Sequence, residues 1–325
     1  MTPRPFLSVF HFLAISSSIL SLLIPSSTTA SNSSPGCDTT STPSFPIGTS
    51  KNFTLKTSDG RTRDYLLYLP ENYTPTTPSP LIFSYHGNGK NMTNQESLSQ
   101  LSNSTFNKDY LVVYPQGVKN HWEGPTYAVK GVSDVNFTAE LLEELEAGYC
   151  VDVDRVYANG KSNGGGFVDT LACSGERAGE AFAAFAPVSG AFYTDLNASS
   201  PCDLGSRVRT PMLEFHGTGD KVINYTGGEG GGGPIPPIPE WLARWGARNG
   251  CEDSSCYSET EEYGGVVQYI TYSGNGVDEV VEHYRIDGMG HDWPSTMWNS
   301  DNEGDVTVLD ATPLILEFFE RWVKE

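Results

Sequence analysis

The chain has 325 residues, with 20 lysines and arginines against 40 aspartates and glutamates, a formal charge of −20. So acidic a surface repels phosphate backbones, which argues against nucleic-acid binding, and its plainest use is solubility outside a cell. No C-x-x-C pair or histidine cluster has zinc spacing, so no metal is expected.

Residues 1–30 have the layout of a secretory signal peptide. Arg4 is the only basic residue, an apolar stretch runs from Phe6 to about Ile24, and small residues lead to Thr28-Thr29-Ala30. Serines interrupt the apolar run, against a transmembrane anchor, and no later segment is long and apolar enough to span a bilayer. The remainder, 31–325, is long enough for a single catalytic domain with a sizeable core. Its six cysteines (Cys37, Cys150, Cys173, Cys202, Cys251, Cys256) form an even set in an exported chain, which points to disulfides. Only Cys251 and Cys256 are near enough in sequence to imply a local loop. N-x-S/T sequons at Asn32, Asn52, Asn72, Asn91, Asn103, Asn136, Asn197 and Asn224 fit a glycosylated extracellular protein.

From 31 to about 50 the chain is rich in Ser, Thr, Pro and Asn, an extended arm held by Cys37. Strands are expected at Tyr65–Leu69, Leu81–Tyr85 and Leu111–Tyr114, then a helix over Phe137–Tyr149 with Leu141, Leu142 and Leu145 on one face. The strand Arg155–Ala158 precedes a glycine-rich turn and a helix over Phe167–Cys173. Further strands follow near Ala183–Val188, Met212–His216 and Val280–Ile286. Between the last two, Gly227–Pro239 reads as a loop whose glycines bend it and whose prolines stiffen its exit. A final helix has Thr312 as N-cap and Pro313 at its first position, and buries Leu316, Phe319 and Trp322. Alternation of this kind implies an α/β fold, a mainly parallel central sheet with helices on both faces.

Gly160-Lys161-Ser162-Asn163-Gly164 fits G-x-S-x-G, in which a serine sits on a sharp strand-to-helix turn with its hydroxyl exposed. A serine hydroxyl needs a base to take its proton. His291, in the loop Gly288-Met289-Gly290-His291-Asp292-Trp293-Pro294 beyond the last strand, is the candidate; His283 lies within that strand and reads as a half-exposed structural residue. Asp220, after the strand Met212–His216, completes the order Ser, Asp, His of an α/β-hydrolase, with Asp287 as the competing acid. Amides for an oxyanion hole are expected from Asn163, next to the serine, and from Asn88 in Tyr85-His86-Gly87-Asn88-Gly89. His86 is expected to shape that loop.

These segments, together with Val113-Tyr114-Pro115-Gln116-Gly117 and His216-Gly217-Thr218-Gly219-Asp220-Lys221-Val222-Ile223, resemble the secreted fungal feruloyl esterases of carbohydrate esterase family one, related to polyhydroxybutyrate depolymerase-like esterases. Pro236-Pro237-Ile238-Pro239-Glu240-Trp241 with Arg248-Asn249-Gly250-Cys251 extends the likeness, while Cys256 and Ser273–Gly276 depart from the group's cysteine placement. The resemblance implies Ser162 as nucleophile, His291 as base and Asp220 as acid. It further implies a serine esterase that frees hydroxycinnamic acids from plant cell-wall polysaccharide such as arabinoxylan; that chemistry needs no cofactor, and a monomer is expected. Acetyl xylan or polyhydroxyalkanoate are the alternative esters, and a non-catalytic cell-wall binding protein is the rival class. Trp122 or Trp293 is expected to stack on the aromatic acid, and Gly227–Pro239 to wall its pocket.

Overall fold

In chain order, β1 (Thr49–Lys56), β2 (Thr62–Leu69) and β3 (Ser79–Tyr85) lead to α1 (Met92–Ser99), then β4 (Leu111–Pro115) and α2 (Asp134–Gly148). Next come β5 (Val151–Lys161), α3 (Asn163–Ala172), β6 (Ala184–Val188), β7 (Met212–Gly217) and a small pair, β8 (Gly228–Gly230) and β9 (Gly233–Ile235). The chain closes with α4 (Ile238–Arg248), β10 (Tyr257–Glu262), β11 (Val267–Gly274), β12 (Val277–Ile286) and α5 (Ala311–Glu320). This computed structural model describes residues 32–38, 43, 45–175, 178–302 and 304–324. The signal peptide expected at 1–30 lies outside the described residues, and Ser31–Glu325 clusters as one compact unit.

Ten strands form one sheet in the order β1-β2-β4-β3-β5-β6-β7-β12-β11-β10. The block from β4 to β12 is parallel, and antiparallel pairs flank it on both sides. β3, β4, β6 and β7 are buried at every position, as strands covered on both faces must be. The connection from β3 to β4 runs one way along the sheet and that from β4 to β5 runs back. Right-handed crossovers therefore put their helices on opposite faces. That reversal leaves β3 and β5 side by side, with a crevice beyond their carboxyl ends where an open α/β sheet binds ligands.

Several elements differ from the sequence reading. β1, largely exposed, and β10, exposed almost throughout, carry too few apolar residues to stand out as strands. α1 is mostly polar, with Met92 and Leu98 its apolar residues, and is set by its capping box, Asn91 with Asn94. α4 has Pro237 as its N-cap, and it forms because Trp241, Leu242 and Trp245 fall on one buried face. α5 starts one residue before Thr312: Asp310 is the N-cap, and the Thr312 hydroxyl instead donates to the Ser99 carbonyl at 2.6 Å. Gly227–Pro239 is partly a hairpin, whose Ile235 packs with Ala191, Ile223 and Tyr193. Disulfides join Cys37 to Cys150, Cys173 to Cys202 and Cys251 to Cys256. The first ties the amino-terminal arm, a short 3-10 turn at Pro35–Asp38, to the residue that precedes β5.

Candidate active site

Ser162 is the single residue between β5 and α3, and its backbone sits at φ +57°, a region few side chains adopt. Such a conformation costs on the order of 1–3 kcal/mol and persists only where the surroundings enforce it. Here the Ser162 amide donates to the Val188 carbonyl at 3.0 Å, while its carbonyl accepts from Gly166 at 2.9 Å and Ala191 at 3.0 Å. Gly164 has no alternative: a Cβ there would stand 2.2 Å from the Tyr85 carbonyl oxygen, pushing β3 away from the turn.

The structure brings Ser162, His291 and Asp220 together, although 129 residues separate the first two and 71 the last two. The Ser162 hydroxyl lies 2.8 Å from Nε2 of His291, and Nδ1 of His291 lies 2.7 Å from Oδ2 of Asp220. A carboxylate only accepts, so Nδ1 carries the hydrogen and Nε2 is free to accept from the serine. Oδ1 of Asp220 is fixed by the amides of Val222 and Ile223, each at 2.8 Å. Asp287, the competing acid, is exposed and instead accepts from the Thr218 hydroxyl at 2.9 Å.

The His291 loop is anchored from β5 and β7. Lys161 donates to the His291 carbonyl at 3.0 Å and pairs with Asp301 at 3.2 Å. Gly217 lets the loop pass close to β7, since a Cβ there would lie 2.0 Å from the Met289 carbonyl oxygen. Burial, then the Lys161 ammonium, pushes the His291 imidazole down to about 4, so it is neutral and basic above that pH. Burial alone would raise Asp220, but hydrogen bonds from His216 and His291 hold it below the usual carboxylate range.

Asn163 opens α3, where first-turn amides have no partner within the helix, and its own side chain is occupied by the Trp122 amide at 2.9 Å. The Gly87 backbone approaches Ser162 so closely that a Cβ on Gly87 would touch the serine Cβ at 3.5 Å. Asn88, next along, is exposed, with its side-chain oxygen 2.6 Å from Nδ1 of His121. His86 turns away from the serine: Nδ1 donates to the Gly87 carbonyl at 2.8 Å and Nε2 accepts from the Gly117 amide at 3.0 Å. Its burial pushes the ring down to about 4, consistent with a neutral structural brace. A cavity of about 200 Å³ opens here, bordered by Gly87, Asn88, Leu98, Ser162, Val222 and His291 among others.

Three expectations fail. Trp122 and Trp293 are core residues, fully buried, and neither borders this cavity. Trp122 stacks on Phe167 and donates its indole N–H to the His86 carbonyl, while that of Trp293 goes to the Thr312 hydroxyl. A buried indole with its one donor used has nothing left to offer a ligand. Gly227–Pro239 does not border the cavity either. His283, expected to be half-exposed, is fully buried, its ring stacked on Tyr225 and set against Glu214 of β7. The sequence reading missed Lys161 and Asp301, which also line the cavity, and the buried Glu214 and His216 on β7. Glu214, the one charged residue in the otherwise apolar run Pro211–Phe215, was the available signal.

No family model matches the chain. It is 31% identical over 176 residues to a bifunctional acetylxylan esterase/xylanase of Neocallimastix patriciarum, covering 54% of this chain but 24% of that protein. It is 32% identical over 171 residues to feruloyl esterase C of Emericella nidulans, covering 51% of this chain and 58% of that protein. Among solved structures, an acetyl xylan esterase from Aspergillus awamori superposes with a TM-score of 0.56 over 83% of this chain and 99% of its own, at 15% identity, a likeness of fold. The probable feruloyl esterase C of Aspergillus niger is 30% identical over 228 residues, 65% of this chain and 75% of that protein, and with that match the chain belongs to the fungal feruloyl esterase family.

Proposed function

We propose that this protein hydrolyses hydroxycinnamoyl esters, feruloyl esters first, on plant cell-wall polysaccharide. The single observation that carries the reading is the unbroken series of hydrogen bonds from the Ser162 hydroxyl through His291 to Asp220, at 2.8 and 2.7 Å. In it Ser162 attacks the ester carbonyl and His291 takes the hydroxyl proton on Nε2. Asp220 keeps the ring in the required tautomer and stabilises the imidazolium that forms. The amides of Asn163 and Asn88 receive the oxyanion, each lowering the barrier by on the order of 3 kcal/mol. His291 then protonates the departing sugar alcohol. In the second half it takes a proton from water, whose oxygen attacks the acyl-enzyme carbonyl, and returns that proton to Oγ of Ser162 as the C–O bond breaks and the free acid departs. A cavity of about 200 Å³ suits one acyl group and leaves the sugar outside. The 72% exposed ring of Trp298, two residues before Ser300 of the cavity wall, offers a flat apolar face for that sugar.

Ser162→Ala should yield a folded protein without methyl ferulate hydrolysis; undiminished turnover would sink the reading. The name of the Neocallimastix patriciarum relative favours a second ester, acetyl on xylan. Rates on methyl ferulate, acetylated xylan and hydroxybutyrate oligomers decide between them.

The same reading includes export through residues 1–30, a single catalytic domain over 31–325 and action as a monomer outside the cell. Three disulfides support export. Asn52, Asn72, Asn91, Asn136, Asn197 and Asn224 are exposed and open to glycans. Asn103 is half-buried with its amide held by Gln100, so it should be the least modified of the set.

A further inference from the structure

Beneath Asp220 lies a second layer of titratable groups that ester hydrolysis, as set out above, does not use. Glu214 and His216 on β7 and His283 on β12 are all fully buried. Their partners fix where the protons sit. Nε2 of His216 is 2.8 Å from the Ile223 carbonyl oxygen and 3.4 Å from Oδ2 of Asp220. Both are acceptors, so Nε2 carries a hydrogen. Nδ1 of His283 lies 3.1 Å from the Glu214 carbonyl and 2.8 Å from its Oε2, and carries a hydrogen for the same reason. Nε2 of His283 is met by the Tyr225 hydroxyl at 3.1 Å, which can donate to it.

One contact remains, Nδ1 of His216 to Oε1 of Glu214 at 2.9 Å. A proton on the nitrogen makes an imidazolium between two carboxylates; on the oxygen it would leave Asp220 charged beside two neutral groups. Burial opposes the imidazolium, yet Glu214 and Asp220 outweigh it and lift His216 to about 10.

We propose that His216 is a positioning residue of the ester-hydrolysing site, a protonated imidazolium that shares Oδ2 of Asp220 with His291 and thereby lowers the pH at which His291 becomes a base. The proposal rests on the Ser162–His291–Asp220 reading. Asp220 stabilises a positive His291, and a second cation on the same oxygen takes part of that stabilisation away. His291 then gives up its proton in more acidic solution. From β5, Lys161 acts in the same direction, partly neutralised by Asp301 at 3.2 Å. Asp292, adjoining His291 in its loop, is the remaining nearby carboxylate, and burial raises its own pKa.

The test replaces both charges of the buried pair with amides of similar size, His216→Gln with Glu214→Gln, which leaves the net charge unchanged. The new glutamine at 216 can still donate to the Ile223 carbonyl. In kcat/KM for methyl ferulate against pH, the acid limb should move up by about half a unit to one unit. The loss should therefore be several-fold greater below pH 5 than on the plateau. A uniform loss with the limb unmoved would reduce His216 to packing and overturn the proposal. Nitrogen-15 spectra of histidine-labelled wild-type protein settle the same question if the double variant does not fold. His216 should show two N–H protons at pH 8, and one would overturn the proposal. An active Ser162→Ala variant would instead bring down the underlying triad, so the two failures are distinguishable.

Discussion

Asp220 separates two regions of unlike chemistry. Above it His291 is 18% exposed, and its second nitrogen faces only the Ser162 hydroxyl. Below it His216 is sealed from solvent and both nitrogens face acceptors. The two rings approach the same carboxylate oxygen, yet burial with Lys161 pushes one down to about 4 while Glu214 lifts the other, against burial, to about 10. Burial alone does not set a histidine's charge; the number of acceptors built around it does.

The contrast breaks most visibly by mutation at the rim. Ser162→Ala should lower kcat on methyl ferulate by about a millionfold, and Asp220→Asn by about 10⁴-fold through the wrong His291 tautomer. Thermal unfolding of Ser162→Ala should stay at or above the wild-type midpoint, because the smaller residue removes no core contact. A rim variant that lost stability instead of activity would erase the distinction between the two regions.

The floor should respond the other way. Glu214→Ala takes from a buried imidazolium the nearer of its two carboxylates, leaving Asp220 at 3.4 Å, and should destabilise the protein by about 3–5 kcal/mol, read from urea unfolding at pH 6. The sign with pH follows from linkage. His216 is raised in the folded state from its ordinary 6.5 to about 10, so its contribution is complete below about 6.5 and fades as pH rises through about 10. The stability gap between wild type and Glu214→Ala should therefore shrink across that window. A gap that widens would place the proton elsewhere.

The rim was far more legible in the sequence than the floor. G-x-S-x-G is written in consecutive residues because one tight turn has to make it, and the order serine, aspartate, histidine follows from strand order. The glycines at 164 and 217 mark backbone that must pass close to its neighbours. What Glu214 and His216 pair with was not legible, because His283 lies 69 residues from Glu214 and meets it only through the parallel pairing of β7 with β12. Trp122 and Trp293 misled for the opposite reason: an aromatic beside a motif looks the same in sequence whether it faces ligand or core. Here Trp122 uses its indole to hold the His86 carbonyl, which serves the site from behind.

Trp298 gives the smallest effect and the finest test of what the rim meets. Its ring is 72% exposed, yet the backbone on either side is tied. Asn299 donates to the Trp293 carbonyl at 3.0 Å and Asn302 to the Met297 carbonyl at 2.9 Å. An exposed ring on a fixed stem loses little by truncation in the free protein, so Trp298→Ala should leave the unfolding midpoint unchanged. If the ring carries the sugar, the variant should raise KM for feruloylated arabinoxylan about 3–10-fold, corresponding to roughly 0.5–1.5 kcal/mol of ring contact. Methyl ferulate, which has no sugar to stack, should be hydrolysed at the wild-type kcat/KM. An equal loss on both substrates would make Trp298 part of the acyl cavity, and no loss on either would put the polysaccharide on another part of the rim.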